Sequence, residues 1–206
     1  HRVASRGVQS KVNRDEAMEI VSLIAAACEH PAYVGKTFGV ISLVGDEQAT
    51  VIDEQLRKRL SPAEHSKRRL TCCNPSQFQG DERDVMWLSV LDVPDGGPLR
   101  MRSDQAFQQR YNVAASRARD QMWVVYSLDP VDDLKSEDLR RRLIEHALDP
   151  MGRSKTLERA ERRVDSEFER RVLRRLHARS YRVRPQWEVG HYRIDLVVQG
   201  GGRRLA

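Results

Sequence analysis

Two short segments carry residue types that could handle a polyphosphate. The first, Gln79-Gly80-Asp81-Glu82-Arg83-Asp84, is a polar turn with one glycine, set directly before the apolar run Val85 to Val90. The second, Asn112-Val113-Ala114-Ala115-Ser116-Arg117-Ala118-Arg119, puts two arginines two apart, just ahead of the apolar run Met122 to Tyr126. A residue without Cβ lets a phosphate approach the backbone closely. An arginine neutralises charge that develops on a transferred phosphoryl group. A glycine turn, an acid and a fixed cation at strand edges are therefore groups that a nucleoside triphosphate would use. A third candidate, Gly35-Lys36-Thr37, fails. The phosphate-binding loop needs a second glycine where this chain has His30, and it must lead into a helix.

The elements that must position these segments follow from periodicity. Asn13 with Glu16 reads as a capping box ahead of Ala17, Ile20, Val21, Ile24 and Ala25 at helical spacing, stopping before Pro31. Phe38 to Val44 is a continuous apolar run, hence a buried strand. Asp46 to Leu60 is amphipathic, Leu70 to Cys73 is a short strand, and Val85 to Val90 is the next. A Pro- and Gly-containing loop spans Asp92 to Ser103. A helix over Asp104 to Arg117, a strand over Met122 to Ser127 and a helix over Ser136 to Leu148 complete the alternation. Alternating strands and helices imply an α/β fold, a mostly parallel sheet with helices on both faces.

Composition changes near Met151, which divides the chain into domains 1–150 and 151–206. From Met151 to Ala206 there are 15 Lys and Arg against 7 Asp and Glu, a balance of +8, whereas the rest of the chain stands at −2. Polyanions are the natural partner of such a surface; the plainer alternative is a solvated arginine-rich helix. A basic helix over Asp165 to Ser180 precedes alternating strands at Tyr181 to Val189 and Tyr192 to Val198. Gly200-Gly201-Gly202 suits a hairpin turn into the start of a third strand. No apolar run is long enough to span a bilayer. The three cysteines lack metal-ligand spacing, so reduced thiols and a cytoplasmic location are expected. The first residue is not methionine, and a piece of a longer protein is expected.

The two polar segments resemble motifs V and VI of superfamily 1 helicases. Gly39-Val40-Ile41-Ser42-Leu43-Val44-Gly45-Asp46-Glu47-Gln48-Ala49 looks like motif IV, upstream in the right order, and Gly7 to Ala17 matches the run-in seen in the branch that includes the nonsense-mediated-decay motor. The resemblance covers roughly Gly7 to Leu128 and implies a RecA-like second motor domain. It implies that Gly80 offers its amide to the γ-phosphate, Glu82 contacts the ribose and Gln79 couples nucleotide to nucleic acid. Arg117 would be the arginine that reaches a γ-phosphate held on an upstream first motor domain, and Arg119 would brace the site by pairing with an acid. Asn74 and Ser76 stand where the family often has Thr and Asp, and would contact nucleic-acid phosphate. The cofactor implied is ATP with Mg²⁺ in the parent protein, and the partner is nucleic acid, DNA in preference to RNA.

The tail carries a second resemblance. Ser166-Glu167-Phe168-Glu169 on a helix, with strands Tyr-Arg-Val-Arg-Pro-Gln and Tyr-Arg-Ile-Asp-Leu-Val-Val, looks like nucleases related to the very-short-patch-repair endonuclease, of the restriction-endonuclease-like fold. Asp195, flanked by Ile194 and Leu196, would be costly to bury unless paired or metal-bound. Asp195 and Glu169 are thus expected as Mg²⁺ ligands, close enough that one takes up a proton near neutral pH when no cation is present. That family adds a Glu-x-Lys pair on the following strand, beyond Ala206, so the element is expected to be incomplete. Arg171, Arg174 and Arg175 are the phosphate-contact candidates on the basic helix. The alternative is a non-catalytic module in which the tail only grips phosphates.

Overall fold

The computed structural model describes residues 1–94, 99–150, 152, 157, 159–178, 181–190, 192–200 and 203–205. The residues expected as a flexible loop at 95–98, most of the linker at 151–155, the last two residues of the basic helix at 179–180 and the hairpin glycines Gly201 and Gly202 lie outside the described residues. Two compact units form, His1–Ala147 and Leu148–Ala206.

In the first unit, α1 (Arg14–Glu29) opens on Asn13, whose Oδ1 accepts from Glu16 N at 3.1 Å. A short 3₁₀ turn, Pro31–Tyr33, follows. The remaining elements are β1 (Phe38–Ser42), α2 (Glu47–Arg59), α3 (Pro62–Lys67), β2 (Thr71–Cys73), β3 (Arg83–Ser89), α4 (Gln105–Ala115), β4 (Ala118–Val125) and α5 (Leu139–Leu148). The short helix α3 was not expected. Its signal is present in the sequence: Ser61 accepts from Glu64 N at 3.2 Å, and Pro62 sits in the first turn, where its missing N–H costs nothing. Helix α5 begins three residues later than expected because Asp138 Oδ1 accepts from Arg140 N at 2.9 Å and so caps it there.

The sheet order is β2-β1-β3-β4, and every neighbouring pair is parallel. All five residues of β1 are buried, as a central strand covered on both faces requires. The period of two sorts the side chains between two cores. Phe38, Val40, Val85, Trp87 and Val125 pack with Ile20 and Ile24 of α1 and Ile52 and Leu56 of α2. Ile41, Met86, Leu88 and Val124 pack with Tyr111 and Ala114 of α4 and Leu143 and Ile144 of α5. This is an α/β sheet flanked by helices, the arrangement of a RecA-like domain. Among the described residues no helix is long and apolar enough to cross a membrane.

The second unit holds α6 (Glu167–Ala178) and an antiparallel sheet of β5 (Arg182–Val189), β6 (Tyr192–Gly200) and β7 (Arg203–Leu205), in that order. Leu173 of α6 packs with Ala160 and Val164, and against Val183 and Leu196.

The two faces of the first unit meet at a buried polar hub that the capping box only hinted at. Glu16 does not reach back to the Asn13 amide, as a capping box would have it. Gln48 Oε1 takes that amide at 2.9 Å, while Gln48 Nε2 donates to Asn13 O and to Ser89 Oγ. The fully buried Glu16 turns inward instead. Its Oε1 accepts from Ser89 Oγ at 2.6 Å and Leu91 N at 2.9 Å, and its Oε2 accepts from Ser127 Oγ at 3.1 Å. Among the described residues no cation forms an ion pair with it, and the His1 terminal ammonium acts on it only at longer range. Loss of solvation pushes its carboxyl up to about 7, against the pull of these hydrogen bonds, and the nearby Asp92 charge adds to the rise. An acid whose native pKa exceeds its unfolded value makes the native state the better proton binder between the two. Stability from this group is therefore lost as pH rises from the ordinary carboxyl range through about 7. Glu16→Gln, which stays neutral, should gain in melting temperature relative to wild type as pH is raised from about 5 to about 8, by several degrees at most for a shift worth on the order of 3 kcal/mol. Parallel melting profiles across that window would show that Glu16 does not titrate there.

Candidate functional site

The polar segment after β2 is a closed turn anchored from below. Asn74 Oδ1 accepts from Gln77 N at 3.0 Å, Gln77 Oε1 accepts from Asn74 N at 3.3 Å, and Asn74 Nδ2 donates to Asp46 Oδ1 ahead of α2. The Ser76 carbonyl accepts from Gln79 N and the Phe78 carbonyl from Asp81 N. Phe78 is 1% exposed and plugs the turn into the sheet over Gly39. A Cβ on Gly39 would lie 2.5 Å from Met86 Sδ and 2.8 Å from Phe78 Cζ, so only glycine admits this close approach.

Arg83 fixes the turn's second end. It is 4% exposed, and its guanidinium donates to Arg69 O at 2.8 Å, Thr71 Oγ1 at 3.0 Å and Glu82 O at 2.8 Å, and pairs with Asp81 Oδ1 at 2.6 Å. Its Cζ lies 5.4 Å from the Phe78 ring centroid. The hydrogen bond from Arg83 holds the Asp81 carboxyl below the usual carboxylate range. Between these anchors Gln79 and Gly80 are exposed. Gly80 has φ +84°, a conformation that favours glycine, and nothing lies within 4 Å of where a Cβ would be. The backbone there faces open space, which suits a phosphate approaching from outside.

Arg117 arrives at this turn from the end of α4. Its Nη1 donates to the Asp81 carbonyl at 3.3 Å, its Nε to Val113 O at 3.0 Å and its Nη2 to Ser116 Oγ at 2.7 Å. Its own carbonyl accepts from Arg83 N at 3.1 Å, because β3 and β4 start side by side. The two segments singled out in the sequence are thus one surface, at the edge where β3 and β4 begin. Arg119 Nε contacts Glu82 Oε2 at 3.0 Å, both side chains being exposed, and this hydrogen bond raises the Arg119 guanidinium further. The expected acid partner of Arg119 is therefore the expected ribose contact, Glu82. Of the two nucleic-acid candidates in this unit, Asn74 spends its amide on the turn and on Asp46, while Ser76 is exposed. Lys36 and Thr37, set aside as a phosphate loop, serve the sheet: Lys36 pairs with Asp120, and Thr37 N and Oγ1 donate to Asp84 Oδ2 at 2.7 and 2.8 Å.

The second unit corrects two expectations. Asp195 is exposed rather than buried between Ile194 and Leu196: side chains alternate along β6, Leu196 packs against the small core from the other face, and on Asp195's own face the next position, Val197, is buried while Asp195 is not. Glu169 is engaged at the start of α6: its Oε1 accepts from Ser166 Oγ at 2.6 Å while Ser166 Oγ accepts from Glu169 N at 3.1 Å and so caps the helix. Its Oε2 also accepts from Asp165 N and Gln186 Nε2, both at 3.2 Å. These donors, Ser166 first, hold the Glu169 carboxyl below its ordinary value, the opposite of the expected proton uptake. Among the described residues no cluster of three or more His, Cys, Asp or Glu could hold a metal. Of the basic-helix candidates, Arg174 is paired with Glu161 at 2.6 Å, while Arg171 and Arg175 are exposed.

Sequence reasoning did not single out Phe78, Arg83 or Asp92. Arg140, 1% exposed, joins Asp138 Oδ2 at 2.6 Å to Asp92 Oδ2 at 2.8 Å, and Arg102 takes the other Asp92 oxygen at 2.8 Å. The loop between β3 and α4 is tied to α5 by this network.

No curated protein matches the chain. A family model described as AAA domain matches residues 1–129, the part that contains the sheet, the Gly80 turn and Arg117. With a parallel sheet flanked by helices and a match over more than half its length, the chain belongs to this AAA domain family, of the helicase type and nucleotide-binding in character.

Proposed function

We propose that the first unit is the second motor half of a nucleic-acid-dependent ATPase of the superfamily 1 helicase kind. The observation that carries this reading is the meeting of Arg117 with the Gly80–Asp81 turn through the Asp81 carbonyl. In open α/β sheets a bound nucleotide sits outside the carboxyl ends of the strands. The surface described above lies at the amino ends of β3 and β4. A turn at that edge, with no strand-to-helix phosphate loop behind it, does not cradle a nucleotide alone. It can close over one held by a preceding motor domain. ATP with Mg²⁺, when bound there, supplies the phosphoryl group. On this side the Gly80 amide offers a hydrogen bond to a terminal phosphate, and Arg117 swings from Asp81 O to the developing charge. Glu82, released from Arg119, is free for a sugar hydroxyl. Gln79, exposed beside Gly80, links the turn to nucleic acid reached through Ser76, DNA in preference to RNA. The three free cysteines agree with a reducing compartment such as the cytoplasm.

For the second unit the favoured role is phosphate binding without cleavage. The +8 balance of 151–206 supports it, and an exposed Asp195 with a capped Glu169 gives a divalent ion little to bind. Metal-dependent nuclease action is the second reading, favoured by one observation: α6 and the β5–β6–β7 sheet follow the expected order of elements, with Gln186 joining β5 to Glu169. Mg²⁺-dependent cutting by the parent protein, abolished by Asp195→Ala with ATPase intact, would decide for it.

Two outcomes test the motor reading. In the parent protein, Arg117→Ala should lower ATP turnover by roughly a thousandfold or more, the scale of an arginine finger, while ATP binding weakens far less. Unchanged turnover would remove Arg117 from the role. The 206-residue chain alone should show no ATP hydrolysis, because nothing in it supplies the phosphate loop. Turnover by the purified chain that is lost with Arg117→Ala would overturn the division of labour.

A further inference from the structure

On the basic helix only part of the positive charge is unspent: Arg171 and Arg175 are exposed and form no ion pair among the described residues, while its other described arginines are paired. Arg174 is paired with Glu161 and Arg170 with Glu167, both at 2.6 Å, and Arg193 with Asp165 at 2.7 Å. A groove of about 870 Å³ lies elsewhere in this unit, lined by Arg159, Arg162 and Arg163 from one segment and by Arg184, Gln186 and Trp187 from β5. Among the described residues none of its four arginines pairs with a carboxylate, and the acid on its lining is Glu188. The Arg184 guanidinium sits over the Trp187 ring at 5.3 Å from its centroid, so a flat cationic and aromatic platform forms one part of the wall.

Gln186 supplies the second kind of signal. Its φ of +53° is a left-handed backbone conformation within β5, although the register runs unshifted from Pro185–Leu196 to Trp187–Ile194. The Gln186 amide nitrogen is spent on Glu169 Oε2 at 3.2 Å, whereas its Oε1 is buried and accepts no hydrogen bond. A buried acceptor without a donor costs free energy that a ligand's N–H or O–H would recover.

We infer that this groove is a binding site for one or two nucleotides of a single-stranded nucleic acid. This rests on the reading of the second unit as a nucleic-acid contact and names its ligand. Arg159, Arg162 and Arg163 take the phosphates. A base stacks on the Trp187–Arg184 platform, as unpaired bases do on aromatic rings and guanidinium planes. Gln186 Oε1, turned toward the groove, accepts from a base N–H, such as N3–H of thymine or uracil, or from a sugar hydroxyl. The volume falls in the roughly 300–1,000 Å³ range of small-ligand pockets, too small for a duplex. Bases stacked inside a duplex could not reach the ring.

The test is fluorescence anisotropy of the full 206-residue chain with labelled oligodeoxythymidylate, oligouridylate and a duplex of equal length, each over a series of salt concentrations. Trp187→Ala should weaken single-strand binding about tenfold, the scale of one lost stacked base, and Trp187→Phe should restore most of it. Arg162→Gln with Arg163→Gln, both exposed and so safe for folding, should reduce the salt slope by about 1.4, or about 0.7 per phosphate contact. The duplex should bind more weakly and ignore Trp187→Ala. Gln186→Leu should weaken only the RNA arm if a ribose hydroxyl is the donor, and both arms if it is a base. If these variants keep wild-type affinity and slope while Arg171→Gln with Arg175→Gln abolishes binding, the groove is not the site, although the second unit still contacts nucleic acid. If the wild-type chain binds none of the probes in a salt-dependent way, both the groove and the nucleic-acid role of the unit fall.

Discussion

A guanidinium carries five N–H donors in a rigid fork and cannot be buried cheaply unless they find acceptors. Arg83 is such a group, and the turn from Asn74 to Glu82 is arranged around its needs. Its acceptors come from four places: Arg69 and Thr71 at the entry to β2, Asp81 in the turn, and Glu82 at its exit. Each acceptor is fixed by the same group, so the turn has little freedom to open without orphaning a buried charge. Phe78, under the Arg83 guanidinium and over Gly39, locks the other end. What remains between the anchors is the exposed pair Gln79 and Gly80, held stiffly without being occupied. An arginine brought next to such a turn by the neighbouring strand then meets a defined backbone carbonyl, that of Asp81.

The opposite end of the sheet is governed by another buried polar group, with the reverse electrostatic character. Glu16 is a carboxyl with no ion-pair partner among the described residues, and it is tolerated because four donors converge on it, Asn13 Nδ2 among them at 3.4 Å, and because its carboxyl titrates near neutrality. One of those donors is the amide of Leu91, which has φ +73°, an uncommon conformation for a bulky side chain. Asn13 Nδ2 holds the Leu91 carbonyl at 3.2 Å, so this residue is gripped from both sides at the exit of β3. Strain of that kind persists only where the surroundings over-determine it. The hub thereby sets the direction in which the chain leaves β3. From there the Asp92–Arg102–Arg140–Asp138 network carries it back to α4, the helix that ends two residues before Arg117.

Much of this was legible because the signals were local. The buried run at Phe38 to Ser42, the cap at Asn13 and the glycine turn before Val85 each state their element within a few residues, and the parallel order follows from their alternation. The adjacency of the Gly80–Asp81 turn and Arg117 was legible only through resemblance, since nothing local joins Asp81 to Arg117, 36 residues on. Arg83 was overlooked because an arginine in a polar run reads as solvated; its burial depends on Arg69 and Thr71, which the sequence does not mark as neighbours. Asp195 was misread for a related reason. A carboxylate between Ile and Leu looks buried in a string of letters, but a strand turns successive side chains to opposite faces, and two apolar neighbours say nothing about the face between them.

The same argument separates the two units. In the first, positive charge is spent inward: Arg68, Arg83 and Arg140 are each 4% exposed or less, and they serve carbonyls and carboxylates of the fold. Arg117 is the exception that matters, half-buried and bound to backbone oxygens and Ser116 rather than to an acid. Carbonyl and hydroxyl partners give a guanidinium less than a carboxylate does, so an incoming anionic oxygen can take it over. Arg119 is held by Glu82 in an exposed pair that solvent screens. A residue that must reach a developing charge is better stored on neutral acceptors than in an ion pair, and by that criterion Arg117 suits the proposed reach to a phosphate better than Arg119 does.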